Sequence, residues 1–109
     1  MKKKIVVSGV MLVVLGGLPG TRARCATVEE GRKVFVQKKC INCHSLGAER
    51  GAVAKLGGPL DGIGSKRGVA WLRGYFADPK AELPNAKMPK QNLTPKQIDD
   101  LVDYMLTIK

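Results

Sequence analysis

Two of the three cysteines and the only histidine in this chain stand within five residues, Cys40-Ile41-Asn42-Cys43-His44. Soft ligands gathered this tightly constrain the fold, because the surrounding chain must build a site around them. Three chemistries use a closely spaced cysteine pair. A redox-active C-x-x-C opens a helix after a strand, usually in a β-α-β setting; here a helical segment comes before the motif, and no strand-like alternation is visible. A structural zinc site takes four ligands, and this cluster offers three in a cramped arrangement, with only Cys25 left elsewhere. The third chemistry is covalent haem attachment, for which C-x-x-C-H is the recognised spacing. The thiols add to vinyl groups on adjacent pyrrole rings, and two intervening residues let one turn of backbone span that edge. The histidine directly after the second cysteine then falls under the iron and supplies one axial nitrogen.

The first quarter of the chain differs from the rest. Lys2, Lys3 and Lys4 precede an apolar run from Ile5 to Leu18, and Pro19-Gly20 and the polar Thr21-Arg22-Ala23-Arg24 follow. A basic start, about 14 apolar residues and a helix-breaking end match a secretory signal peptide, and a spanning helix needs about 20. Residues 1–25 are therefore expected to be a leader, cut after Ala23 or after Cys25, with residues 26–109 as the mature domain. Lipid attachment at Cys25 is disfavoured by Arg24, because that processing wants a small residue before the cysteine. The expected location is outside the cytoplasm, in a periplasm or on the outer membrane face, where c-type haem is attached.

Removing the leader changes the charge balance. Five of the 19 Lys and Arg lie before residue 26 and none of the nine Asp and Glu do, so fourteen bases face nine acids, a net +5. That modest value, with export, argues against a nucleic-acid partner. It suits association with an acidic protein or, weakly, an anionic membrane surface. A domain of this size has a marginal core and often needs a metal, disulfide or cofactor.

The mature region reads as all-α, with three main helices joined by long loops. Thr27-Val28-Glu29-Glu30 fits a capping box, Val28, Gly31, Val34 and Phe35 follow at helical spacing, and Lys38-Lys39 close the last turn. Gly47 to Gly68 holds seven glycines and reads as one long loop, of the kind that is usually functional. Val69–Ala77 suits a short helix ended by Asp78-Pro79. Thr94-Pro95-Lys96-Gln97 is a second capping box with proline at the first helical position. The helix after it puts Ile98, Leu101, Val102, Met105 and Leu106 on one stripe, with Asp99, Asp100 and Asp103 facing away.

A haem iron held by His44 needs a sixth ligand if it is to carry electrons in a low-spin state, and there is no second histidine. Beyond the motif only Met88 and Met105 offer sulfur. Met105 belongs to the apolar stripe of the last helix. Met88 stands in a polar loop beside Pro89 and between Lys87 and Lys90, so its side chain has reason to turn inward; it is the predicted sixth ligand.

Three features together resemble a small bacterial class I cytochrome c over nearly all of residues 26–109. They are G-x-x-x-F at Gly31 and Phe35, C-x-x-C-H at Cys40, Cys43 and His44, and M-P-x-x-x-L-T at Met88, Pro89, Leu93 and Thr94. The resemblance implies the cytochrome c fold wrapped around one covalent haem c, with Gly31 and Phe35 crossing Leu101 and Tyr104 of the last helix. It also implies that the Pro59 carbonyl accepts a hydrogen bond from the second ring nitrogen of His44. Leu60, Ile63, Trp71, Leu72, Tyr75 and Phe76 become expected pocket walls, and Lys66, Arg67 or the Trp71 indole expected contacts of a haem propionate. The expected function is one-electron transfer between redox proteins, not catalysis, with Lys38, Lys39, Lys55, Lys87 and Lys90 around the docking edge. The alternatives are a haem subunit or tethered module of a larger complex, and a peroxidase or sensor domain with a labile sixth ligand.

Overall fold

The computed structural model describes residues 19–109. The basic start and the apolar run to Leu18 lie outside the described residues. Helix α1 spans Pro19–Gln37 and α5 spans Pro95–Leu106. Between them stand a 3-10 turn at Cys40–Asn42, strands β1 (His44–Leu46), β2 (Glu49–Arg50) and β3 (Gly58–Pro59), and helices α2 (Ile63–Lys66), α3 (Val69–Ala77) and α4 (Pro79–Glu82). No described helix is long and apolar enough to cross a membrane.

Helices α1 and α5 pack against each other and set the frame. A Cβ at Gly31 would fall inside contact distance of the Asp100 carbonyl and the Tyr104 Cβ. Only glycine lets the two backbones come this close, which outweighs its cost inside a helix. One turn on, the rings of Phe35 and Tyr104 meet at 5.5 Å and 59°, a tilted geometry that aromatic pairs favour. Val34, Phe35, Leu72, Phe76, Leu101, Val102 and Met105 form the buried core, so α3 closes the third side.

Local chemistry explains the α5 start. The Thr94 hydroxyl accepts from the Gln97 N–H at 3.2 Å, and the Gln97 side chain accepts from the Thr94 N–H at 2.9 Å. This is the reciprocal cap read from the sequence, with Pro95 at the first helical position.

Four expectations need correction. The described part of helix α1 reaches back to Pro19, eight residues before the capping box at Thr27, because Thr21 to Ala26 contain no breaker. Asp100 does not face away: it is 5% exposed at the Gly31 crossing, with its carboxylate 2.6 Å from the Lys96 ammonium. Pro79 not only ends α3 but starts α4, capped by the Asp78 side chain. The glycine-rich stretch is not one loop: β1 pairs antiparallel with β2 and parallel with β3. Strands of two or three residues are too short to show alternation in a sequence.

Candidate haem site

Lys39 turns the chain out of α1 in the left-handed region, φ 55°, and delivers it into the 3-10 turn that holds Cys40. The Cys43 N–H donates to the Cys40 carbonyl at 3.2 Å, closing that turn. His44 then opens β1, so its backbone is pinned by the small sheet directly after the second cysteine. The loop that returns to β3 is clamped onto the motif. Gly51, Val53 and Gly57 donate N–H bonds to the carbonyls of Ile41, Asn42 and Cys43 at 2.8, 3.1 and 2.7 Å.

The His44 ring is fixed from two sides. Its Nδ1 lies 3.2 Å from the Gly58 carbonyl oxygen, which makes Nδ1 the donor and leaves Nε2 free to bind a metal. The partner is therefore Gly58 and not the expected Pro59, because the parallel register sets His44 opposite Gly58 and Ser45 opposite Pro59. A Cβ at Gly57 would collide with the His44 ring and the Cys43 carbonyl. Gly57 is a site residue that sequence reasoning missed, since nothing distinguishes it from the other glycines of the stretch.

His44 Nε2 faces the question of what it binds, and the walls around the motif bear on it. Cys40, His44, Pro59, Trp71 and Met88 all line one cavity of about 280 Å³, near the lower end of ligand-pocket volumes, roughly 300–1,000 Å³. Leu60, Ile63, Leu72, Tyr75 and Phe76 line it too, joined by Phe35, Leu83, Leu101 and Met105. Cys43 is half-buried but is not among the lining residues. Trp71 stacks on Tyr75 at 4.9 Å and 10°, and the Arg67 guanidinium sits 4.0 Å above the Trp71 ring. The walls are thus flat and apolar. The charged residues among them, Lys66 and Arg67, are both basic.

Burial pushes the Cys40 thiol up to about 11, with a small contribution from neighbouring Cys43. A redox-active C-x-x-C works through a thiolate with a lowered pKa, so this environment runs against that chemistry. Nor do three or more His, Cys, Asp or Glu side chains converge as a metal-binding group among the described residues, as a structural zinc would need. A haem fits better. It asks for apolar faces, cations for its carboxylates, a nitrogen donor and a sulfur donor in the same cavity, and thiols beside it.

The cytochrome c family profile matches residues 28–109, and the chain belongs to that family. It is a small class I bacterial cytochrome c, an electron-transfer protein that carries a covalently bound haem c. It is 31% identical over 96 residues to a cytochrome c2 of Blastochloris viridis, covering 69% of this chain and 72% of that one. A cytochrome c2 of Rhodoplanes tepidamans is 29% identical over 99 residues, covering 72% and 89%. No solved structure matches significantly.

Proposed function

We propose that this protein is a mobile one-electron carrier outside the cytoplasm, shuttling between redox proteins that offer acidic docking surfaces. In this reading Cys40 and Cys43 would hold the haem as thioethers, and His44 and Met88 would bind its iron. The observation that carries it is the placement of His44 and Met88 on one cavity, although 44 residues separate them in the chain. The haem supplies the reversible Fe(III)/Fe(II) couple.

The chain's own residues make that couple useful. Gly58 holds the His44 proton on Nδ1, and Gly57 leaves room for the ring. The apolar walls exclude water, and together with a thioether ligand they favour the reduced state and a high potential. With His44 and Met88 both held by the fold as donors to the iron, little of the protein would need to move when the oxidation state changes. Residues 1–25 act as the export signal, with cleavage near Ala23 to Ala26.

Protein-film voltammetry tests this reading. A single reversible one-electron wave at positive potential is expected. A wave that turns catalytic on adding hydrogen peroxide, or no wave at all, would reject the carrier role.

A further inference from the structure

The loop between β2 and β3 borders a second concavity, open and about 710 Å³ in volume. The three hydrogen bonds to Ile41, Asn42 and Cys43 already tie this loop to the haem motif. Even so, it holds two large apolar side chains out into solvent: Val53 is 46% and Leu56 72% exposed. Single exposed apolar residues are ordinary. These two occupy the ends of one turn, closed by the Leu56 N–H on the Val53 carbonyl at 3.0 Å, and both line the same concavity.

The charges beside them are unbalanced. Arg50 and Lys55 line the concavity, and neither forms an ion pair among the described residues. Asp61 also lines it, with its carboxylate accepting the Gly47 N–H at 2.9 Å. Elsewhere, four bases of α1, α3 and α5 are paired: Arg32 with Glu29, Lys33 with Glu30, Arg73 with Asp99 and Lys96 with Asp100. An apolar centre with unpaired cations at its rim is complementary to an apolar side chain among carboxylates.

We infer that the Val53–Leu56 turn, with Arg50 and Lys55 beside it, docks an acidic redox partner protein that inserts an apolar side chain into this concavity. The inference rests on the electron-carrier reading and gives that carrier a specific landing site. A concave surface suits a protruding protein side chain better than a flat bilayer. A partner seated here rests on a loop that is itself tied to the haem motif, since Gly57, directly after Leu56, donates its N–H to the Cys43 carbonyl at 2.7 Å.

The test uses the haem-loaded, isotope-labelled protein and two probe peptides. One is acetyl-Asp-Glu-Leu-Phe-Glu-Asp-amide, and the other has serine in place of its Leu and Phe. Amide shift changes on titrating the first should gather at Arg50 to Leu56, and the serine peptide should bind about tenfold more weakly, the scale expected for one buried apolar side chain. Leu56→Ser should remove that difference, Lys55→Gln should flatten the salt dependence, and Val69→Ser, on exposed α3 surface, should change neither. Shifts centred on the Met88 loop, or equal affinity for both peptides, would overturn the proposal. So would Leu56-dependent binding to phosphatidylglycerol vesicles with none to the peptide. Voltammetry on the same samples keeps the two readings apart. A normal wave without peptide selectivity rejects only the docking site, and selectivity without a wave rejects the carrier reading on which it rests.

Discussion

Met88 is half-buried in a stretch without regular structure between Leu83 and Thr94. The hydrogen bonds within that stretch are local, Ala86 to Leu83, Leu93 to Gln91 and the Gln91 side chain to Pro89. Its inward turn therefore depends on what the sulfur meets inside. Met88→Ala should retain covalent haem, because neither cysteine is touched, and lose the weak sulfur-to-iron absorption at the red end of the ferric spectrum. The reduction potential should fall as well, since a thioether ligand favours Fe(II). A band that survives in the variant would refute the assignment. The place of Met88 on the cavity wall was legible in the sequence, because an apolar residue among lysines and prolines has few other reasons to exist. The Gly58 partner of His44 was not, because it follows from a two-residue parallel pairing with no side-chain signature.

At the scale of elements, the α1–α5 crossing was readable through the family resemblance, which the G-x-x-x-F pair Gly31 and Phe35 helps to carry. Its consequence for Asp100 was not: helical periodicity put that residue on the outer face, and the closeness allowed by Gly31 buried it. Gly31→Ala tests the crossing. Alanine improves helix propensity by up to about 1 kcal/mol. The added methyl meets backbone, which cannot swing away, so overpacking of about 1–3 kcal/mol should dominate. Each kcal/mol of net loss should lower Tm by roughly 4–8 °C in a domain of this size. An unchanged or raised Tm would show that the helices do not cross this closely. The short strands and α2 escaped the sequence because backbone hydrogen bonds and the packing of Gly64 against the end of α5 define them, not a run of apolar residues.

Across the whole molecule, charge is divided unevenly. The four ion pairs neutralise parts of α1, α3 and α5, whereas Lys66 and Arg67 line the haem cavity and Lys87 and Lys90 flank Met88. Three of the four pairs join groups about half exposed on both sides, so they add little stability. The bases beside the haem cavity and those of the Val53–Leu56 concavity, Arg50 and Lys55, stand outside these pairs. Association with an acidic redox partner should then slow steeply as salt rises through the range where the Debye length shortens from about 10 Å at 0.1 M to 3 Å at 1 M. A stopped-flow rate that ignores ionic strength would contradict electrostatic docking.

The claim beneath all of these is that Cys40 and Cys43 hold one haem by covalent bonds in an exported chain. The mass of the denatured protein, purified from cells that attach c-type haem, tests it most directly. The expected result is a chain beginning between Arg24 and Ala26 that carries the added mass of one haem, which denaturation does not remove. The mass of the bare polypeptide would contradict it.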